Sequence, residues 1–202
     1  MSDEVVFDGD GFTVRRIVMP PLENNVYLIT CTETSTSLIV DAASDPEAIL
    51  DLADGTTPVG VAATHGHWDH HGAIPAVTSA LGVPFMLSSA DDEIAGKTPD
   101  EPLTDGPLTI GEVEARVITT PGHSPGSVCI ALEGVVLTGD TLFPGGPGAT
   151  RFEYSSFDMI IDSIREKLFD MPDDTVVLPG HGDATTIGTE RPQLPAWIER
   201  GW

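Results

Sequence analysis

The stretch that decides the fold is residues 64–72, which read Thr64-His65-Gly66-His67-Trp68-Asp69-His70-His71-Gly72. This stretch holds four of the six histidines in the chain, together with one aspartate. Imidazole and carboxylate groups are the ligands that zinc and other first-row divalent metals bind in proteins. Gly66 and Gly72 are expected to let the backbone bend around these side chains. The stretch therefore predicts a metal site rather than a set of structural histidines.

The other candidate ligands lie in three short segments further along the chain. His123 and His181 each follow a glycine in a turn-like sequence, and Asp140 follows an apolar run. Every candidate ligand thus comes just after a run that predicts a strand, and loops at one edge of a rigid sheet can converge on a single site. The predicted strands are residues 12–19, 26–30, 37–41, 59–63, 84–87, 113–119, 127–132, 135–138 and 175–178.

Helical segments alternate with these strands. Asp45-Pro46-Glu47 combines an N-cap, a proline at the first helical position and an acid in the first turn, so it predicts a helix start. Residues 74–81 and 157–168 carry apolar side chains at helical spacing, and Ser155 or Ser156 is the predicted cap of the second of these helices.

Composition limits the class of protein. The chain has 202 residues, of which 40% are hydrophobic and 20% charged, which predicts one globular domain over residues 1–202. Asp and Glu total 32 against 9 Lys and Arg, a net charge of −23 that disfavours nucleic acid as a partner. The acids are interpreted as a solvated surface, or alternatively as an adaptation to a salt-rich environment.

The expected location is the cytoplasm. No apolar stretch reaches membrane-spanning length, and the first residues lack the basic and apolar regions of a signal peptide. Cys31 and Cys129 are far apart in sequence and are predicted to be buried free thiols in a reducing compartment.

Seven candidate ligands are too many for one tetrahedral zinc ion. They suit two ions that share one ligand, and a carboxylate is the natural bridge because each of its oxygens can bind one cation. The seven are His65, His67, Asp69, His70, His123, Asp140 and His181.

With these residues the chain resembles the metallo-β-lactamase fold superfamily, in particular the glyoxalase II-like hydrolases. The matching motifs occur in the family's order over residues 64–182. They are His65-x-His67-x-Asp69-His70, Thr120-Pro121-Gly122-His123-Ser124-x-Gly126, Thr138-Gly139-Asp140-Thr141-Leu142-Phe143 and Pro179-Gly180-His181-Gly182.

The resemblance implies an α/β fold, an αββα sandwich of two mixed sheets flanked by helices, with two divalent metal ions at one edge. Zinc is the expected metal, with iron or manganese as alternatives. The resemblance assigns the ligands in three sets: His65, His67 and His123 to the first ion, Asp69, His70 and His181 to the second, and Asp140 to both.

Two neighbours of the ligands fall outside this pattern. His71 is expected either to support a ligand from outside the coordination sphere or to be merely exposed. Trp68 is expected to pack against the protein rather than to contact substrate.

The resemblance also bears on the substrate. β-Lactamases of this fold lack a bridging carboxylate at the position of Asp140, which disfavours antibiotic hydrolysis. The glutathione-binding helical extension of the hydroxyacylglutathione hydrolases is expected to be missing, because the 21 residues after His181 can hold little more than one short helix near Trp197.

The loop after Asp140, residues 144–154, carries the predicted substrate contacts. Pro147 replaces a cysteine that is common there in the family. Arg151 is predicted to bind a substrate carboxylate and Tyr154 to donate a hydrogen bond. The alternative for Arg151 is a surface ion pair with one of the many acids.

The sequence therefore predicts a dinuclear metal-dependent hydrolase that cleaves a small-molecule thioester. A hydroxide bridging the metals would attack the acyl carbon, with Asp69 orienting it. Three alternatives stay open: a persulfide dioxygenase with a single iron, a lactone or phosphodiester hydrolase, and a metal-dependent binding module. The identity of the thiol, the native metal and the oligomeric state stay open as well.

Overall fold

The computed structural model describes residues 3–201, and its first sheet has seven strands in chain order. The first four strands are antiparallel to one another, and the pairs from the fourth strand onward are parallel. The strands are β1 (Glu4–Gly9), β2 (Phe12–Met19), β3 (Asn24–Cys31), β4 (Thr36–Val40), β5 (Thr57–Ala62), β6 (Phe85–Leu87) and β7 (Glu101–Pro102).

The second sheet has six strands in the order β15-β14-β11-β10-β9-β8. Only the β11–β14 pair is parallel. A two-stranded hairpin, β12–β13, follows the third candidate motif. These strands are β8 (Gly106–Ile110), β9 (Val113–Thr119), β10 (Val128–Leu132), β11 (Val135–Gly139), β12 (Leu142–Phe143), β13 (Gly146–Pro147), β14 (Val176–Pro179) and β15 (Thr185–Thr186).

Helices cover the outer face of each sheet. The fifth helix continues as a π-helical turn over Ile164–Leu168, and Ser156 caps its start by accepting from the Met159 amide. The helices are α1 (Pro46–Ala53), α2 (Trp68–His71), α3 (Ile74–Leu81), α4 (Asp92–Ala95), α5 (Phe157–Ser163), α6 (Ile187–Glu190) and α7 (Leu194–Arg200), with 3-10 turns at Ser89–Asp91 and Arg191–Gln193.

Three apolar layers hold these elements together. Strand β3 shows how they divide, because Tyr27 and Ile29 face the second sheet whereas Val26 and Leu28 face α1 and α3. A third layer lies between the second sheet and α5 and α7, around Ile160 and Trp197. The predicted αββα sandwich of two mixed sheets is confirmed.

Several elements differ from the sequence-based expectation. Strand β1 and strand β8 were not predicted, and α2 lies inside the histidine run that was expected to be a loop. Cys31 and Cys129 are buried free thiols, as predicted. No helix among residues 3–201 is long and apolar enough to cross a membrane.

Candidate metal centre

The first group of candidate ligands is His65, His67 and His123, whose ligand atoms lie within 4.8 Å of one another. The Nδ1 atom of His67 is 3.0 Å from Nε2 of His65 and 2.9 Å from Nε2 of His123. His65 follows β5 of the first sheet, whereas His123 lies between β9 and β10 of the second. Three imidazole nitrogens from the two sheets thus point at one place.

The second group is Asp69, His70 and His181. The Nε2 atoms of His70 and His181 are 3.1 Å apart. The Oδ2 atom of Asp69 is 3.6 Å from the first of these nitrogens and 3.4 Å from the second. Two imidazoles and a carboxylate therefore converge beside the first group.

Asp140 lies between the two groups and turns one carboxylate oxygen toward each. Its Oδ2 atom is 3.5 Å from Nε2 of His123, and its Oδ1 atom is 3.4 Å from Nε2 of His70 and 3.7 Å from Nε2 of His181. Gly180 permits this approach, because a Cβ atom there would lie 2.4 Å from Oδ1.

The Oδ1 atom of Asp140 is buried and accepts no hydrogen bond from residues 3–201. A buried carboxylate oxygen without a donor is costly unless a cation compensates its charge. The donor set of nitrogens and oxygens, together with this orphaned oxygen, fits a divalent metal site.

Two ligands of the first group are supported by the loop after β13. The outward nitrogen of His67, Nε2, is 2.7 Å from the Tyr154 hydroxyl. The outward Nδ1 of His123 donates to the Ala149 carbonyl at 2.7 Å. An imidazole whose outer nitrogen is hydrogen-bonded in this way presents its other nitrogen as a ligand in a fixed orientation.

Asp41, directly after β4, supports ligands of both groups. Its Oδ2 atom accepts from Nδ1 of His70 at 3.0 Å and from the Thr64 hydroxyl at 2.9 Å. That hydroxyl in turn lies 3.1 Å from Nδ1 of His65. The direct contact is with the second group, and the contact with the first passes through Thr64.

The rest of the second group is supported by the chain that leads into β3. Asn24 donates from Nδ2 to Oδ2 of Asp69 at 3.1 Å, and Nδ1 of His181 donates to the Leu22 carbonyl at 2.9 Å. This support was missed in the sequence. The pair of polar residues Asn24 and Asn25 at the start of a largely apolar strand is the signal that could have shown it.

Protonation differs between the groups in the protein without bound ions. Burial lowers the pKa of His65 well below its usual range and, with the neighbouring His123, lowers that of His67 to about 4. Burial also acts to lower the pKa of His70, but the carboxylates of Asp140 and Asp41 outweigh it and raise the value to about 9.

The other members of the second group follow the same electrostatics. Burial acts to lower the pKa of His181, but its hydrogen bond to Asp69 and the charge of Asp140 raise it. Burial acts to raise the pKa of Asp69, but that hydrogen bond and the charge of His70 hold it below its usual range. His65 and His67 are therefore neutral bases, whereas the second group retains a proton that a cation can replace.

His71 and Trp68 both depart from the expectations. His71 is only 5% exposed, so the alternative that it is merely exposed is wrong. It donates from Nε2 to the Gly66 carbonyl at 3.1 Å and thus supports the ligand loop. Trp68 does not pack against the protein, since it is 69% exposed and lines the cavity above the ligands.

The two glycines of the run do not act as predicted. Neither Gly66 nor Gly72 has a positive φ, so a bend reserved for glycine is not their role. A Cβ atom at Gly72 would lie 2.6 Å from the Ala43 carbonyl oxygen. These positions are glycine because other parts of the chain approach them closely.

A cavity of about 580 Å³ opens above the ligands. Its walls are largely apolar, and Arg151 is the cation among them. The Arg151 guanidinium lies 5.9 Å from the centre of the Phe152 ring, and no carboxylate of residues 3–201 forms an ion pair with it. The surface ion pair considered for Arg151 is therefore absent. The walls are formed by Leu22, Trp68, Ile94, Phe143, Phe152 and Tyr154.

Tyr154 has a second role that the sequence did not indicate. Its ring stacks on Phe152 with centres 5.5 Å apart, and its hydroxyl contacts His67 rather than only facing the cavity. A hydrogen bond to substrate, as predicted, would have to be shared with this ligand.

Comparison with known proteins gives a consistent family. A family model described as the metallo-beta-lactamase superfamily matches residues 19–181. A probable metallo-hydrolase of Bacillus subtilis, YqgX, is 32% identical over 203 residues, covering 90% of this chain and 95% of that protein. The hydroxyacylglutathione hydrolase GloC of Haemophilus influenzae is 33% identical over 153 residues, covering 65% of this chain and 72% of that protein.

Three solved structures are similar over most of the chain. The BLEG-1 B3 metallo-beta-lactamase has a TM-score of 0.80 at 31% identity, covering 91% of this chain and 98% of its own. TTHA1623 in a di-iron-bound form has a TM-score of 0.78 at 31% identity, covering 87% and 96%. ETHE1 from Myxococcus xanthus has a TM-score of 0.80 at 26% identity, covering 90% and 83%.

Proposed function

The chain belongs to the metallo-beta-lactamase superfamily, and from its site we propose that it is a two-metal hydrolase that cleaves a small-molecule thioester. The observation that carries the two-metal proposal is Asp140, whose two oxygens face the two ligand groups and whose Oδ1 atom accepts no hydrogen bond from residues 3–201. Because each oxygen faces a different ligand group, this one carboxylate could bind an ion in each group.

In this proposal zinc ions occupy both groups. Three imidazoles suit a catalytic zinc, and two imidazoles with a carboxylate suit it equally. When bound, such ions lower the pKa of water toward neutrality and polarise a carbonyl oxygen.

Asp69 is the residue that we assign to handle the proton of the attacking water. Its carboxylate lines the cavity, is ionised at neutral pH because its pKa is held low, and is kept in place by Asn24. A thiolate is a weakly basic leaving group and departs without a general acid. This fits a cavity whose phenol, Tyr154, is already engaged with His67.

The walls of the cavity support a substrate with an apolar part and an anionic part. Leu22, Trp68 and Phe143 offer apolar contact, whereas Arg151 offers a guanidinium without a carboxylate partner. In a chain of net charge −23, a cation kept free of acids at the cavity is suited to a substrate carboxylate. A thioester is favoured by the relative from Haemophilus influenzae, which is named a hydroxyacylglutathione hydrolase.

The test is a substrate panel on the zinc-loaded enzyme. It compares thioesters of one acyl group on several thiols, with and without a carboxylate, against a lactone, a β-lactam and a phosphodiester. We expect thioesters to give the highest kcat/KM, with weak discrimination among thiols. Turnover of a non-thioester with none of any thioester would refute the proposal.

Arg151→Ala tests the anionic part of the substrate. We expect it to lower kcat/KM for carboxylate-bearing thioesters by about tenfold or more and to leave neutral ones within about threefold, since a charge-assisted hydrogen bond contributes roughly 1.5–3 kcal/mol. The matched control is Arg116→Ala, because Arg116 is an exposed arginine paired with Asp105 away from the cavity. Equal losses for both substrate types would remove Arg151 from substrate binding.

A second candidate function is the iron-dependent persulfide dioxygenase considered from the sequence. The similar structure of ETHE1 from Myxococcus xanthus fits this alternative. TTHA1623 in a di-iron-bound form supports iron as the metal, although it holds two ions where this dioxygenase would use one. Iron content and oxygen uptake with a persulfide distinguish it from the hydrolase. Oxygen consumption by the iron-loaded form, without thioester turnover by the zinc form, would favour the dioxygenase.

A further inference from the structure

Asp91 is a completely buried carboxylate that the proposed chemistry does not use. It ends the 3-10 turn Ser89–Asp91 after β6 and is 0% exposed. Its Oδ2 atom accepts from the Gly66 amide at 2.7 Å and from the Ser124 hydroxyl at 2.6 Å. Its Oδ1 atom accepts from the Gly126 amide at 2.6 Å. Both oxygens are therefore used to bind two different loops.

These two loops carry the whole of the first ligand group. Gly66 lies between His65 and His67, and Ser124 directly follows His123. The loops belong to different sheets, since one follows β5 and the other follows β9. Asp91 thus connects the backbone of the first sheet to that of the second immediately beneath the three imidazoles.

The two glycines are shaped around Asp91. A Cβ atom at Gly66 would lie 3.0 Å from the Asp91 Cβ atom, and one at Gly126 would lie 2.7 Å from its Cγ atom. Side chains larger than hydrogen at these positions would push Asp91 out of its place. Two motif glycines and one buried acid therefore form a single packing unit.

We infer that Asp91 is a positioning residue that sets the spacing of the first ligand group by fixing both of its loops. The second group does not depend on it directly, because Asp41 orients His70. The inference rests on the proposed metal-binding function, but the hydrogen bonds that it invokes exist whether or not an ion is bound.

Asp91→Asn is the variant that tests the inference. Asparagine has nearly the same shape, but its amide group donates where the carboxylate accepts, so one loop would lose its partner. Asp41→Asn is the matched variant, because Asp41 is also a buried carboxylate and accepts from the Thr64 amide at 2.7 Å, only two residues before Gly66. Ser124→Ala, which removes one of the three bonds, serves if Asp91→Asn does not fold.

The first measurement is amide hydrogen exchange on the full chain as purified. In Asp91→Asn we expect the amide that faces the new NH2 group, Gly66 or Gly126, to exchange at least about tenfold faster, with the Thr64 amide unchanged within about threefold. In Asp41→Asn the Thr64 amide should accelerate instead. Uniform acceleration of all three amides in Asp91→Asn, or none, would overturn the inference, and this result does not depend on metal or substrate.

The second measurement is zinc titration against a competing chelator. His67→Ala and His181→Ala identify the binding step that belongs to the first group and the step that belongs to the second. We expect Asp91→Asn to weaken the first-group step by about 10–100-fold, the usual effect of losing a partner that orients a ligand, and the second-group step by no more than about threefold.

Glu190→Gln controls for general loss of stability. Glu190 is a buried carboxylate that accepts from the Gly145 amide and the Thr185 hydroxyl, away from both ligand loops. It should lower the melting temperature without a selective change in either zinc step. Equal weakening of both steps by Asp91→Asn, or the same pattern with Glu190→Gln, would overturn the inference. A wild-type chain that binds no zinc would refute the proposed function alone, with hydrogen exchange still deciding the role of Asp91.

Discussion

The two ligand groups lie side by side but are supported by different parts of the molecule. The first group depends on the cavity wall, because Tyr154 contacts His67 and Ala149 accepts from His123. The second depends on the edge of the first sheet, where Asp41 accepts from His70. A substrate that contacts residues 149–154 therefore touches the side chain and the backbone that orient His67 and His123 of the first group.

The two groups also differ in charge before any ion binds. His65 and His67 of the first group have lowered pKa values, whereas the histidines of the second group have raised ones because three carboxylates surround them. One group is ready to receive an ion, and the other must first release a proton. This difference in protonation, more than the kind of ligand, determines how each ligand group should respond to mutation and to pH.

Asp140→Ala should give the largest effect, because Asp140 belongs to both halves. We expect a loss in kcat/KM of at least about 1,000-fold with weaker binding of both ions, since a shared ligand and a buried charge are removed. His71→Ala should cost about tenfold or less, because the His71 ring contacts the Gly66 carbonyl and Lys97 rather than any candidate ligand. Steady-state rates and metal content of the two variants decide this. Loss of a single ion in Asp140→Ala would show that Asp140 is no bridge.

Asp41→Asn and Tyr154→Phe should have different effects on the zinc affinities of the two ligand groups. Asp41→Asn is expected to weaken the second zinc by about 10–100-fold and the first by less, because its contact with His65 passes through Thr64. Tyr154 is 41% exposed, so in Tyr154→Phe water can replace its hydroxyl, and the first zinc should weaken by less than about tenfold. Chelator-competition titrations measure both. A larger effect of Asp41→Asn on the first zinc would reverse the assignment of supports.

Zinc affinity should depend on pH in one half only. His70, with a pKa of about 9, holds a proton at neutral pH that zinc must displace, so the second-group affinity should rise as pH rises. The gain should be about tenfold between about pH 7 and about pH 8. His67, with a pKa of about 4, is already neutral there, so the first-group affinity should stay flat. Calorimetric titration in buffers of different ionisation enthalpy counts the released protons. An equal dependence of zinc affinity on pH in both groups would show that the two groups do not differ in protonation.

Added salt should give the smallest effect of all, a change in thermal stability that comes from the charged surface rather than from either ligand group. The net charge of −23 stores repulsion that about 0.15 M salt screens beyond roughly 8 Å. We expect the melting temperature to rise by about 2–4 °C, the shift that about 1 kcal/mol produces in a chain of this size. Scans at saturating zinc in sodium chloride and in choline chloride test whether screening is responsible. A flat or falling curve would count against stored repulsion.

The parts of the fold and site that can be predicted from the sequence are those that depend on short, continuous segments of the chain. The histidine run and the later motifs carried the family resemblance that implied the sandwich, and in the structure six of the seven candidate ligands form two adjacent groups with Asp140 between them. Strand β1 was missed because it is a partly exposed edge strand without clear alternation. Helix α2 was missed because four residues are too few to show a helical period.

The supports of the ligands could not be predicted in this way. Tyr154 and His67 are 87 residues apart, and Asp91 and Gly126 are 35 apart, so each contact exists only after the sheets have packed. Gly66 was expected to let the backbone bend, whereas the structure shows that it leaves space for Asp91. The exposure of Trp68 likewise could not be predicted, because it depends on whether another segment of the folded chain packs over the side chain.

The loop of residues 149–154 has a consequence for how such a protein can change over evolutionary time. A loop that forms the wall of a cavity is the natural place to acquire a new specificity, because it is exposed and far from the core. Here the same loop holds two metal ligands in orientation through Tyr154 and the Ala149 carbonyl. Substitutions selected for a new substrate would therefore carry a penalty in metal retention. Laboratory evolution of this loop should yield improved variants mainly where the Ala149 backbone and a hydroxyl at position 154 are conserved, or under excess zinc.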